Sequence, residues 1–538
     1  MARLDPLAPD PGLNASRFGH APALWLALPL LLGGALDQAW RPNPGAMLLG
    51  GTIAAALGWV WAGRERLAPF ALALAGLLLG AAWHQVRTPP TGPLELRRSF
   101  AELSVLVERA QERRDGEGWT GLGWVTDRDD RLFRRRLALS VRGPTPADGV
   151  ELKLAGHLAA LAPDARGYEA WARSQGASLR LNGGRALGEL APAGPFSRWC
   201  QERRRVLEGW LRSLPWDDPE GGALLAATML GRTALLPTEA KAAFSATGTL
   251  HLFAISGLHI AGMAAALLWT ARRLRLPGLP AGLGVLAALW LYVQVTGASP
   301  SSVRAWIMTA FVWAGRAGER DAPALQSLAL ACAATLLLDP GAVGDAGFQL
   351  SYAAVLAIVA AGAPAGEIAA APALAQRLSA PGAAGFLRRS GWRARRFLRA
   401  GLCISGAATI AGAPLTLAHF GQASAGGLVV NLALVPLSEI PLVLGMASTA
   451  LSVWPATLPV ARWFNGGAAL ALDGMTALAE VAARLPWPDL MTERISATAG
   501  VTGALLLAAC FLAQAEARSA GRLLGIPAIL LVLWYALA

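Results

Sequence analysis

Charge is what this 538-residue sequence has least of: 15% of its residues are Asp, Glu, Lys or Arg, while 54% are hydrophobic and the mean hydropathy is +0.43. Soluble domains carry roughly a quarter charged residues, so the composition excludes an ordinary soluble enzyme. Lysine is almost absent: Lys153 and Lys241 are the only two, and nearly all 47 basic residues are Arg. Four cysteines exclude a disulfide framework. Cys332, Cys403 and Cys510 lie in apolar segments, where Cys behaves as a small hydrophobe. Cys200 stands alone in the polar stretch, which therefore holds no internal disulfide. No CxxC or Cys/His cluster has zinc spacing, so no metal site and no cofactor are expected. There is no GxxxxGK[ST] phosphate loop. No small-residue cleavage site follows the first apolar segment, so no cleavable leader is expected.

What the sequence does have is apolar runs long enough to cross a hydrocarbon core of roughly 30 Å. Three come first, near 21–39, 45–62 and 67–86. A polar stretch follows from about residue 87 to 215. Ten more runs lie near 246–270, 279–296, 302–317, 323–338, 347–364, 401–419, 427–451, 463–484, 496–514 and 523–538. The fold class is therefore a polytopic α-helical membrane protein of about 13 spans with an external β-rich domain between spans 3 and 4. The corresponding domains are 1–90, 91–215 and 216–538.

Arginine placement orients the spans, because short cytoplasmic loops are enriched in Lys and Arg. Arg272, Arg273 and Arg275 follow the fourth span, Arg316 and Arg320 the sixth, and RRSGWRARRFLR (388–399) the eighth. The intervening loops TGASPSS, LDPGAVGDAG and HFGQASAGG carry no basic residue. Arg3, Arg17, Arg64 and Arg66 agree, placing the polar domain outside. Within it, residues 94–114 show an amphipathic helical pattern. Residues 118–190 give short β-like runs of the kind that build a small barrel, with Leu137, Leu139 and Val141 alternating as in a half-buried strand. Residues 196–214 read as a basic amphipathic helix, on the membrane surface or simply solvated as a linker. The net charge of +12 fits either positive-inside loops in an Arg-rich composition or a polyanionic client.

Polar residues inside apolar spans are costly and face a cavity or a partner. TGTLHLFAISGLHIAG (247–262) carries His251, Ser256 and His259, which one helical face can hold together, and Ser256-Gly257 can break that helix. These groups read as interhelical hydrogen bonding, as a nucleophile with its base, or as half a metal site. Arg304 stands one turn into a span, either snorkelling or facing an anion. Gln349 and Ser351 lie at the outer end of another. Asn431 shares an apolar run with Pro436 and the intramembrane acid Glu439, and Asp473 is a second such acid. Glu439 and Asp473 are the candidate partners for Arg304.

These segments, in this order, resemble the ComEC family of competence proteins. The resemblance rests on TGxxHLxAISGLHI (247–260), TGxxxSxxRAxIM (296–308), DP…GFQLSYAAV (339–355) and P…HFG…NLxxxPL, here Pro414, His419–Gly421, Asn431 and Pro436–Leu437. PDARGYEAWARSQG (163–176) is a looser echo of an element in the family's OB-like external domain. The resemblance implies passage of single-stranded transforming DNA across the inner membrane. His251, Ser256, Gly257, His259, Arg304, Gln349, Ser351, Asn431 and Pro436 would line or shape the channel. Trp124, Arg131, Phe133, Arg134, Arg135, Arg136 and Arg142 would meet DNA in the external domain through backbone charge and base stacking, unless they form only a solvated basic strand edge. Many members carry a metallo-β-lactamase-like domain after the last span. The six histidines here, His20, His84, His157, His251, His259 and His419, form no HxHxDH motif. The resemblance thus implies no nuclease in this chain, and as partners a periplasmic DNA-binding competence protein, a helicase-like motor, a separate nuclease, and membrane lipid. Transport of another solute around a midplane site, or an intramembrane hydrolase built on Ser256 and a His, are the alternatives.

Overall fold

The computed structural model describes residues 23–40, 43–60, 67–87, 99–113, 117–128, 130, 132–161, 167–317, 324–370, 383–424, 426–485, 489–491, 495–514 and 520–537. Arg131 and the orienting arginines Arg3, Arg17, Arg64, Arg66 and Arg320 lie outside the described residues. Three apolar helices come first: α1 (Leu24–Trp40), α2 (Pro44–Val60) and α3 (Leu67–Arg87). They associate through small residues, as lipid-embedded helices do when backbones must approach closely. Gly33 lies against the Leu77 backbone and Gly80 against the Leu30 backbone, leaving no room for a Cβ.

Five strands then close a barrel: β1 (Ser99–Glu112), β2 (Gly118–Val125), β3 (Arg136–Arg142), β4 (Glu151–Ala160) and β5 (Leu179–Ala191). Their order is β1-β2-β3-β5-β4, with β4 returning to β1 and β3–β5 the one parallel pair. The barrel is complete, so the expected β-rich domain is present. The expectation of a helix over 94–114 is wrong for its described part: residues 99–112 are strand β1. Leu103, Leu106, Val107 and Ala110 fit a helical spacing, but Leu103, Val105 and Val107 also fit a period of two. The second pattern wins because both edges of β1 are paired and those three side chains fill the barrel, at 3%, 0% and 0% exposure. Trp119, Leu139, Leu154 and Leu181 complete that interior. Helix α4 (Gly167–Ser174) covers the outside, its Tyr168 hydroxyl donating to the carbonyls of Gly121 and Leu139.

Helix α5 (Pro195–Leu211) leads from the barrel into the helical remainder. That remainder comprises α6 (Pro219–Leu230), α7 (Thr238–Ala246), α8 (Gly257–Arg273), α9 (Gly278–Val295), α10 (Pro300–Ala317), α11 (Ala324–Leu338), α12 (Ala346–Ala370) and α13 (Ala383–Phe420). After them come α14 (Gly426–Leu451), α15 (Leu458–Ala483), α16 (Ala497–Ala513) and α17 (Ala520–Leu537). A two-stranded pair, β6 (Gln422–Ser424) with β7 (Asp489–Met491), links the α13–α14 and α15–α16 connections. Among the described residues, four stretches are long and apolar enough to cross a membrane: Phe70–Arg87, Gly278–Val295, Arg395–Phe420 and Gly426–Leu451. Six further apolar helices are shorter. Helix α6 has no counterpart among the predicted spans. Its 12 residues are too few to cross a bilayer, and nine of them are buried among α5, α14 and α15.

Candidate functional site

The segment 247–260 does not form one continuous helix. Leu250–Phe253 is a short 3-10 turn, and α8 starts only after Ser256. His251, Ser256 and His259 therefore do not share a helical face, which corrects that expectation. His251 is exposed in the 3-10 turn, its Nδ1 3.2 Å from the Gly248 carbonyl. Ser256 caps α8: its hydroxyl oxygen accepts the His259 N–H at 3.4 Å and lies 2.8 Å from His259 Nδ1. The Ser256 N–H also donates to Nδ1, a capping box with His in the place usually held by Glu or Gln. The break foreseen at Ser256-Gly257 is thus present. Ser256→Ala should lower thermal stability by about 1 kcal/mol, and Ser256→Asp, which keeps the acceptor, should recover most of it. Unfolding in detergent measures this. Equal stability in all three proteins would mean that the hydroxyl is held for something other than capping.

The four motif blocks join one to the next. The Ser301 hydroxyl of 296–308 donates to the Ile255 carbonyl of 247–260 at 3.1 Å. Arg304, at 4% exposure, faces Asp345 of 339–355 at 3.6 Å. Gln349 of the same block donates to the Val343 carbonyl at 2.7 Å, which fixes its amide so that its oxygen accepts His419 Nε2–H at 2.9 Å. After His419, Gly427 at the start of α14 lies against the Thr247 carbonyl, closing the circuit on the first block. Segments far apart in sequence thus form a ring, and the parts of it at Ala298–Arg304 and Asp339–Asp345 face the barrel. Three of the buried polar atoms without a hydrogen-bond partner among the described residues belong to it: His259 Nε2, Arg304 Nε and Asn431 Oδ1. Such orphans cost roughly 1–3 kcal/mol each unless water or a ligand meets them.

Neither acid expected to partner Arg304 does so. Glu439 packs against Gly262 of α8, whose missing side chain makes room for its carboxylate, and Asp473 is exposed on α15. The actual partner, Asp345, precedes α12, where its carboxylate accepts the Gly347 N–H at 2.8 Å. Asn431 is half-buried in the first turns of α14; Pro436 lies further along it, exposed. Gly257 is exposed in the first turn of α8, and Ser351 is half-buried on α12.

The barrel residues expected to meet DNA divide into two groups. Phe133 and Arg134 are exposed on the β2–β3 turn, Arg134 with φ of 61°; Arg135 is half-buried beside them, and Arg142 is exposed at the end of β3. Arg136 and Trp124 are committed internally. Arg136 makes a two-pronged pair with Glu108, at 2.8 and 2.5 Å, donates to the Gln175 carbonyl, and lies 5.3 Å from the centre of the Trp124 ring. Trp124 Nε1 donates to the same Glu108 at 3.1 Å.

Three groups that sequence reading missed hold the barrel to the helices. Arg109 on β1 donates to the Ala298 carbonyl at 3.2 Å, and Arg204 on α5 to the Val295 carbonyl at 2.7 Å. Asp148, in the β3–β4 connection, accepts the Ala110 N–H at 2.9 Å and lies 3.7 Å from Arg204. Burial pushes the Asp148 carboxyl up and both guanidinium groups down from their ordinary ranges, the expected cost of a half-buried charged seam. No local sequence signal marks them, since the segment bearing Arg109 reads as a helix.

A β-barrel seated on apolar helices long enough to span a bilayer, with the buried Arg304 and Asp345 where the two meet, defines a membrane protein with an appended β domain. Residues 228–517, more than half of the sequence, match the profile of the family described as Competence protein, and the chain belongs to that family. It is 32% identical over 141 residues to ComE operon protein 3 of Bacillus subtilis (strain 168), covering 26% of this chain and 18% of that one. It is 33% identical over 215 residues to Competence protein ComA of Neisseria gonorrhoeae, covering 36% and 29%. The matched stretches therefore span less than a third of either relative's length. No solved structure matches the chain.

Proposed function

We propose that this protein is an inner-membrane channel that passes single-stranded transforming DNA into the cytoplasm during natural competence. The observation that carries the reading is the ring. Four separate motif blocks of a competence-family chain join in one circuit, and the second and third of them face the barrel. In this reading about 13 spans cross the membrane, and the Arg-rich loops face the cytoplasm. The barrel within 91–215 stands in the periplasm, where Phe133 and Arg134 meet the strand by stacking and charge. Residues 1–90 and 216–538 form the membrane part. A periplasmic DNA-binding protein delivers the DNA. A helicase-like motor pulls it, and a separate nuclease removes the other strand.

The test is import of labelled DNA into the cytoplasm of a naturally transformable host carrying this gene. A clean deletion should leave label in a nuclease-protected periplasmic pool, with cytoplasmic label at background. Arg304→Ala should reduce import strongly while the protein still reaches the membrane at wild-type level. Undiminished cytoplasmic label in the deletion strain would remove the channel reading and favour transport of another solute.

A further inference from the structure

A cavity of about 200 Å³ lies in the seam between the barrel and the ring. Its charged lining is Arg109, Arg136 and Glu108 from the barrel side, with Arg304, Asp339 and Asp345 from the helices. The charges balance in number but not in hydrogen bonding. Glu108 is taken by Arg136 and Trp124, Asp345 by the Gly347 N–H, and Asp339 accepts the Gly341 N–H. Arg136 spends three of its five N–H donors on Glu108 and the Gln175 carbonyl. Arg304 is the exception. It is 4% exposed, and its one partner among the described residues, Asp345, stands at 3.6 Å, beyond hydrogen-bond reach. Its Nε is buried without any acceptor. Arg109 uses one N–H on the Ala298 carbonyl.

A buried guanidinium in this state has surplus donors in a forked geometry that suits tetrahedral oxyanions. The cavity is many times the volume one water needs. Resting on the channel reading, we propose that the seam cavity binds a single phosphodiester group of the DNA strand. Arg304 is its buried donor and Arg109 its second, and the phosphate is held where the strand leaves the barrel for the ring. The loose Arg304–Asp345 pair serves as the resting state: the carboxylate neutralises Arg304 when no phosphate is bound and competes with the phosphate when one arrives.

The test is the binding of labelled oligothymidylate to the full chain in zwitterionic-lipid nanodiscs across a salt series. Arg304→Gln should weaken binding about tenfold, as loss of a charge-assisted hydrogen bond does. It should also reduce the slope of log K against log salt by about 0.7, the value for one phosphate contact on a single strand. Asp345→Asn should act in the opposite sense and tighten binding, because it removes the competitor. A methylphosphonate oligothymidylate, uncharged along its backbone, should bind wild type and Arg304→Gln alike. Unchanged affinity and slope in a folded Arg304→Gln overturn the proposal and leave the channel reading standing. Where Arg304→Gln does not fold, Asp345→Asn decides: tighter binding supports the subsite, equal or weaker binding overturns it. If anionic-lipid nanodiscs abolish the Arg304→Gln difference, the site takes a lipid headgroup and the DNA assignment fails. If wild type binds no oligothymidylate at all, the channel reading and the subsite fall together.

Discussion

His84→Leu should destabilise the protein by about 1–3 kcal/mol, the range for leaving a buried hydrogen-bonding group without its partner. His84 on α3 and Asp37 on α1 are 6% and 3% exposed, with Nδ1 and Oδ2 2.5 Å apart. Gln85 donates to the other Asp37 oxygen. Removing the imidazole leaves Asp37 Oδ2 buried in an apolar helix bundle without that partner, and that is where the cost arises. Replacing both members by leucine should be milder, because neither of the two side chains is then left facing an unmet partner. The pair also fixes neighbouring groups. Trp83 and Arg87 on the same helix donate to the Leu337 and Leu338 carbonyls at the end of α11, at 3.1 and 3.4 Å. Gly34 meets Val343, whose carbonyl holds Gln349 in turn. Unfolding in detergent of the two single variants and the double variant gives the coupling directly. Additive losses would mean that the pair contributes nothing as a pair.

The sequence is informative where a pattern is carried by many residues at once. Apolar runs announce the helices, and the alternation at Leu137, Leu139 and Val141 announces β3, because side chains there all answer to one interior. Residues 99–112 are a harder case, since their apolar positions satisfy both periods. Only the pairing of β1 with β2 on one edge and β4 on the other decides between them, and pairing is a long-range fact. Helix α6 escapes for a related reason. A short apolar segment buried by protein carries no signature that separates it from a clipped span.

The motif residues were legible singly and their partners were not. Ser256 and His259 are three residues apart, so their contact follows from local geometry once the helix break is recognised. Arg304 and Asp345 are brought together by the turn between α11 and α12, and Gln349 meets His419 across 70 residues of sequence. An intramembrane Arg announces that it needs an acid, but composition offers Glu439 and Asp473 as readily as Asp345. What distinguishes Asp345 is its place at the start of α12, within reach of the first turn of α10. The seam residues Arg109, Asp148 and Arg204 gave no signal, because a charged residue that docks one domain on another looks like any solvated one until the second domain is in place.

Arg204→Ala should undock the barrel without unfolding either part. Arg204 joins three segments: α5, which carries it; the end of α9, through the Val295 carbonyl at 2.7 Å; and the β3–β4 connection, through Asp148. Gly297 shows how close the fit is. Its φ of 103° is one that glycine adopts readily, and a Cβ there would stand 2.9 Å from Arg204 Nη2. Removing the guanidinium forfeits a charge-assisted hydrogen bond worth about 1.5–3 kcal/mol and leaves the Asp148 carboxylate half-buried without its cation. Asp148→Asn should cost less, because burial already disfavours that charge, and adding it to Arg204→Ala should restore part of the loss. Arg204→Lys should fall between, since an ammonium is a point charge without the planar fork. Limited proteolysis reads the effect. Cleavage between β5 and α6 should accelerate in Arg204→Ala, while the unfolding midpoint of the helical part stays where it is. A fall in that midpoint with no new cleavage would instead make Arg204 part of the helical core. On the proposed channel reading, DNA import should fall together with the faster cleavage.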